Sequence, residues 1–231
     1  MESKGIIKNL IIILLIPLFI FLSIHWIEHY LLLSFGFVIL AIILFLLRFE
    51  KKVMEAREIV LLAVLAAIAA VSRIPFASIP SVQPTTFVIM MAGFVFGAES
   101  GFIIGIVSAL ASNMILGQGP WTPWQMIAWG IVGFSAGLLR KRSFMGKTWG
   151  KVLFAIVSAF VFGWIMNFWG VLAFTGSEGP VEFQILIAYF LGSALFDTIH
   201  AISNVFFLLL FGGIWIKILE RFKTKYGLLE R

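Results

Sequence analysis

No cysteine occurs among the 231 residues, which excludes disulfides, thiolate catalysis and Cys-based metal sites. Charge is also scarce. Asp, Glu, Lys and Arg make up 12% of the chain against 61% hydrophobic residues, whereas a soluble domain carries about 25% charged residues. With a mean hydropathy of +1.09, a water-exposed globular surface is excluded. Histidine numbers only 3. His25 and His29 are spaced i, i+4, but two ligands are too few for a metal site, and an interfacial turn with Trp26, Glu28 and Tyr30 accounts for them. No HExxH motif and no DxD-type metal cluster is present, and the acidic residues are too scattered for a two-metal lipid-phosphate enzyme. Gly146-Lys147-Thr148 imitates the end of a phosphate loop, yet Lys141 stands where its first glycine belongs. The chain therefore carries no visible means of using ATP itself.

What is present is apolar sequence in runs of membrane-spanning length, given that a transmembrane helix takes about 20 residues. Eight runs are expected to be helical: 6–22, 30–47, 58–72, 85–98, 101–116, 124–139, 152–173 and 184–216. The fold class expected is an all-α integral membrane protein. The pair 85–98 and 101–116 is short, and one of them could be re-entrant. The run 5–22 follows Lys4 and Lys8 but is long for a signal peptide and lacks a small-x-small cleavage site, so a retained anchor is expected.

The net charge of +6 does not point to nucleic acid, because the basic residues lie in short clusters between apolar runs. Placing the connections alternately inside and outside puts Lys4 and Lys8, the segment Arg48 to Arg57, the segment Arg140 to Lys151, and Lys217 to Arg231 on one side. Of the 17 Lys and Arg residues only Arg73 falls on the other. The positive-inside rule then predicts N-in and C-in, with Arg73 external. The charged linker 48–56 divides the chain into an N-terminal two-helix extension, 1–47, and a six-helix unit, 57–231.

Small residues recur every fourth position at Ala63/Ala67, Ala66/Ala70, Gly93/Gly97/Gly101/Gly105 and Gly133/Gly137. In lipid, where apolar burial provides little drive for association, such spacing lets backbones pack closely. The alanines could equally dock another membrane protein.

Polar residues inside apolar helices are costly, about 2.5–3.5 kcal/mol for a central Asp by insertion scales, and mark function. Asp197 lies 20 residues before Lys217, about 30 Å along a helix at 1.5 Å per residue, near the outer edge of the hydrocarbon. His200, Asn204, Ser193 and Tyr189 share its helix. The same counting places Trp164, Asn167 and Asn113 in the outer half. Above them runs the stretch Gly117-Gln118-Gly119-Pro120-Trp121-Thr122-Pro123-Trp124-Gln125-Met126-Ile127-Ala128-Trp129-Gly130, where glycine and proline break the helix and three tryptophans and two glutamines crowd the break. Tryptophan also gathers at interfaces for its amphipathic ring, but the combination predicts the rim of an outward-opening ligand site. Its candidate residues are Arg73, Asn113, Gln118, Trp121, Trp124, Gln125, Trp164, Asn167, Asp197 and His200. Arg73 could pair with Asp197, bind an anionic ligand group or reach to headgroups; Asp197 and His200 could bond each other.

The six-helix unit, with Ala63-xxx-Ala67, Ala66-xxx-Ala70 and the run Ala98-Glu-Ser-Gly-Phe-Ile-Ile-Gly105, resembles the substrate-binding S component of energy-coupling factor (ECF) vitamin transporters over roughly residues 57–220. The resemblance implies a prokaryotic cytoplasmic membrane protein that binds a vitamin-like small molecule. Ala63, Ala66, Ala67 and Ala70 would dock a transmembrane coupling protein driven by two cytoplasmic ATPases, which consume the ATP; no cofactor of the chain's own is implied. The segment Gln118 to Gln125 is most similar to the branch assigned to cobalamin or related corrinoids (CbrT-like). Alternatives are another vitamin, such as riboflavin, thiamine or a precursor, and an intramembrane enzyme using Asp197 and His200 as an acid-base pair. The two N-terminal helices depart from the usual six-helix pattern.

Overall fold

The computed structural model describes residues 55–175 and 183–227, with Gly36 and Leu40 as isolated helical positions. The expected helices 6–22 and 30–47, the histidine turn and most of the linker lie outside the described residues. Six α-helices follow in order: α1 Ala56–Ser72, α2 Pro84–Phe96, α3 Ala98–Leu116, α4 Thr122–Leu139, α5 Thr148–Thr175 and α6 Phe183–Tyr226. Two 3-10 turns, Ile74–Phe76 and Ser143–Gly146, sit in the connections. There is no strand among the described residues.

Four of these helices are long and apolar enough to cross a membrane: α1 with its following turn, α3, α5 and α6. α2 has 13 residues, about 20 Å at 1.5 Å per residue, too short for a hydrocarbon layer of about 30 Å. It is instead the enclosed centre of the bundle: every α2 residue except Phe94 is buried. α4 opens on Thr122, Pro123 and Gln125 and is likewise buried along most of its length. α6 is 44 residues long, about 66 Å, roughly twice what a bilayer core requires. It continues past Lys217, where the apolar run ends, because the following Lys, Glu and Arg residues are good helix formers. Gly227, in the left-handed region at φ 58°, stops it.

Glycine sets the closest packing. α2 turns into α3 through the single residue Gly97 at φ 102°, a conformation that other residues rarely adopt. On the α3–α4 seam Gly133 lies directly on the Gly101 backbone, and a Cβ on Gly93 would come within 2.5 Å of the Gly133 carbonyl oxygen. On the α5–α6 seam Gly163 rests against the Asp197 carboxylate and Gly170 against the Tyr189 ring. The expected role of the glycine series as backbone-packing positions therefore holds for α2, α3 and α4.

The alanine series divides. Ala66 and Ala70 are each 2% exposed and face the bundle interior, whereas Ala63 and Ala67 are exposed on the outer face with Val60, Val64 and Val71. The expectation that Ala66 and Ala70 dock a partner is corrected: a rotation of about 100° per residue carries those two inward.

At one end of the bundle the basic residues cap α2. Arg140 Nη1 donates to the Val95 carbonyl at 3.1 Å and Lys223 Nζ donates to the same oxygen at 3.2 Å, cations placed where the negative end of the helix dipole favours them. The polar residues gather at the opposite end.

Candidate functional site

That opposite end is built from the C-termini of α1, α3 and α5 and the N-termini of α2, α4 and α6. Arg73, the C-cap of α1, turns its guanidinium inward: Nη1 donates to Ser112 Oγ at 2.6 Å and to Asn113 Oδ1 at 2.9 Å. Its Cζ lies 4.7 Å from the centre of the Trp129 ring, within cation–π range. Asn113 is the hub. Its Nδ2 donates to Gln125 Oε1 at 2.7 Å and to Thr122 Oγ1 at 3.0 Å, so one buried amide joins α1, α3 and α4. The same Thr122 hydroxyl accepts from the Gly119 N–H at 3.3 Å and fixes the Gly117–Trp121 connection over the hub.

Gln118 anchors that connection by donating from Nε2 to the Leu110 carbonyl at 3.2 Å. Its Oε1 is buried with no hydrogen-bond partner, as is Nε1 of Trp169. Trp169 meets Trp121 edge-on at 6.0 Å. Buried polar atoms are normally satisfied; these two are among five buried side-chain atoms left without a partner among the described residues, with Gln83 Oε1, Thr85 Oγ1 and Asn204 Oδ1.

Beneath Arg73 the chain of contacts continues. Trp129 is fully enclosed, and its Nε1 donates to Thr86 Oγ1 at 3.0 Å. Thr86 shares a 2.8 Å hydrogen bond with His200 Nε2. Phe162 lies between the Trp129 and His200 rings, at 4.8 Å and 5.3 Å. A second cluster links α5 and α6: Asn167 Nδ2 donates to Ser193 Oγ at 2.7 Å, and Ser193 Oγ donates to Asp197 Oδ2 at 3.0 Å.

The structure thus brings together Arg73, Asn113 and Gln125 in one network, with Trp121 and Gln118 on its rim and Trp124 buried in the first turn of α4. Two pairings that the sequence left open are decided by the structure. Arg73 bonds Ser112 and Asn113, not Asp197; Asp197 bonds Ser193, and His200 bonds Thr86, not each other. His200 is 2% exposed and packed under Phe162, where it supports Trp129 without an open face. Trp164 is 47% exposed and packs on Phe160 and Phe190. It occupies an outward-facing aromatic position rather than the network, as its amphipathic ring allows.

Sequence reasoning omitted Thr86 and Ser112, and left Thr122, Trp129 and Ser193 off the candidate residues although they lie in the stretches it singled out. A signal existed for Trp129, which follows Gln125 by four residues on one face of α4, and for Thr86, a polar residue inside an apolar run. A groove of about 500 Å³ between α5 and α6, lined by Ile156, Phe160, Thr198, Ala201 and neighbours, is elsewhere on the bundle. The Thr198 hydroxyl already donates to the Ala194 carbonyl at 2.7 Å, so the groove offers apolar surface only.

A multi-pass α-helical membrane bundle with one basic end and one polar, tryptophan-rimmed end is the class of protein these features define. The family model of the ECF transporter substrate-specific component matches residues 57–222, the whole of the described bundle but for its edges, and the chain belongs to that family. It is accordingly a substrate-specific transport subunit that acts on a small molecule together with ECF transmembrane and ATPase subunits. No solved structure matches the chain.

Proposed function

We propose that the chain captures a vitamin-class micronutrient at the Trp121–Gln125 end of the bundle and presents it to an ECF module, with cobalamin or a related corrinoid as the first ligand to test. The observation that carries the reading is the Arg73–Asn113–Gln125 network under an aromatic rim, in a chain whose family is defined by substrate binding. Flat or bulky apolar ligand surface would stack on Trp121 and Trp169, while amide and hydroxyl groups read its polar edges. The distribution of Lys and Arg supports an external position for this end and an N-in, C-in orientation in a prokaryotic cytoplasmic membrane. ATP would be consumed by the partner ATPases. The unit 57–231 would suffice for binding, with 1–47 as an added membrane extension.

Titrating the purified full-length protein with a vitamin panel (cobalamin, riboflavin, thiamine, and the carboxylate vitamins), while following tryptophan fluorescence, is expected to give tight, saturable quenching by one of them. Absence of tight binding by every member overturns the reading. The acid-base alternative finds no geometric support, since Asp197 and His200 bond to different partners and His200 is enclosed.

The exposed stripe of Val60, Ala63, Val64, Ala67 and Val71 is the surface through which α1 would meet the coupling protein, small side chains allowing close helix approach. Ala63→Leu with Ala67→Leu is expected to abolish uptake in cells carrying the ECF module and leave ligand affinity unchanged. A parallel fall in affinity would assign the stripe to bundle integrity instead.

A further inference from the structure

Arg73 holds a charge that nothing described around it neutralises. Its partners are a hydroxyl, an amide oxygen and the face of Trp129, all neutral. Arg57, at the other end of α1, pairs with Glu55, whereas Arg73 has no carboxylate partner among the described residues. The Ser112 hydroxyl also donates to the Ala109 carbonyl at 3.1 Å, and the Asn113 Nδ2 is committed to Thr122 and Gln125. An unpaired cation held inside a bundle is costly, and removing it would be the simple solution were it only structural.

The geometry also shows which part of the guanidinium is free. Both hydrogen bonds leave from Nη1. The edge formed by Nε and Nη2 makes none among the described residues, and that edge is the fork that receives two oxygens of a carboxylate or phosphate side by side. Reach to lipid headgroups does not explain the placement. A snorkelling side chain extends away from the bundle, whereas this one lies over an indole that is 0% exposed and is tied to α3.

We propose that Arg73 is the oxyanion receptor of the ligand site, with Nη1 anchored to Ser112 and Asn113 and the Nε–Nη2 edge taking a carboxylate or phosphate oxygen pair of the transported solute. The proposal deepens the substrate-binding reading and rests on it for the identity of the site. It divides the candidate ligands: solutes with a carboxylate, phosphate monoester or phosphodiester fit, and neutral or purely cationic solutes do not. A corrinoid fits through its nucleotide-loop phosphodiester.

Two measurements on full-length protein in a non-ionic maltoside detergent test it. In the first, chloride is exchanged for acetate or inorganic phosphate at constant ionic strength and the unfolding midpoint is followed. The wild type is expected to gain a saturable stabilisation that Arg73→Gln lacks. Asn113→Asp is the second variant: it sets a carboxylate beside Nη1, while the Thr122 hydroxyl and a flipped Gln125 amide can donate to it. This variant is expected to fold and to lose the anion response. Equal responses in the wild type and Arg73→Gln, or stabilisation by added phosphatidylglycerol alone, overturn the proposal.

In the second, matched pairs are titrated against tryptophan fluorescence: pantothenate with panthenol, biotin with biotinamide, nicotinate with nicotinamide, cobalamin with cobinamide. The anionic member of one pair is expected to bind, its neutral partner and the Arg73→Gln variant being weaker by about 100-fold, the scale of a lost charge-assisted pair of hydrogen bonds. A neutral member that binds as tightly, unaffected by Arg73→Gln, overturns the oxyanion assignment and leaves the vitamin reading standing. An Arg73-dependent response to acetate and phosphate with no vitamin bound keeps the anion site and overturns the vitamin reading.

Discussion

Asn113→Leu is expected to lower the unfolding midpoint by about 6–12 °C, taking roughly 2–4 °C per kcal/mol for a domain of this size and a loss of about 3 kcal/mol. Leucine nearly matches asparagine in shape, so the effect isolates the polar groups. The substitution removes the acceptor for Arg73 Nη1 and both donors to Thr122 and Gln125. Each buried group left without a partner costs about 1–3 kcal/mol, and a charged one more. Arg73 then retains Ser112 alone, and the Gly117–Trp121 connection loses the contact beneath it. Ligand affinity is expected to fall with stability. Thermal unfolding in maltoside, followed by tryptophan fluorescence, reads the first effect; a midpoint within a degree or two of the wild type would show that the network contributes little.

Gly133→Ala is expected to be more damaging, though it adds one methyl group. The new Cβ would fall on the Gly101 backbone carbonyl, and α2 approaches the same point through Gly93. No rotamer change relieves a contact with backbone, so α3 and α4 must separate along their length. Overpacking typically costs about 1–3 kcal/mol and more when backbone must move. The shift would also draw Asn113 away from Gln125, since their hydrogen bond crosses this seam. Gly213→Ala is the matched control. Nothing lies within 4 Å of a Cβ at Gly213, and alanine gains up to about 1 kcal/mol over glycine in a helix interior. Size-exclusion profiles and unfolding midpoints of the two variants should move in opposite directions. Equal behaviour would mean that the α3–α4 seam accommodates side chains.

Apart from the C-terminal end of α6, the described helices were legible to within a few residues, because each is an apolar run bounded by charge, glycine or proline. The runs 85–98 and 101–116, where a re-entrant segment was an open alternative, resolve into the short enclosed α2 and the spanning α3. The extension of α6 to Tyr226 was missed, since hydropathy ends at Lys217 while helix propensity does not. At the candidate site, Arg73, Asn113 and Gln125 were legible as polar residues in apolar surroundings. Their bonds were not: Arg73 and Asn113 stand 40 residues apart, and Asp197 was an equally reasonable partner on charge alone.

The sequence by itself determined that the chain is an α-helical membrane protein, where its described spans lie, and that its polar residues cluster toward one end. These are properties of local runs and of counting along a helix. Only the tertiary structure decided how each helix is turned about its own axis, and with it that Ala66 and Ala70 face inward while Ala63 and Ala67 face out, and that Arg73 lies on Trp129. In a soluble protein the contrast between core and water writes that rotation into the sequence as an amphipathic stripe. In lipid both faces of a helix are apolar, so the rotation is set by close backbone contact and by hydrogen bonds between distant residues.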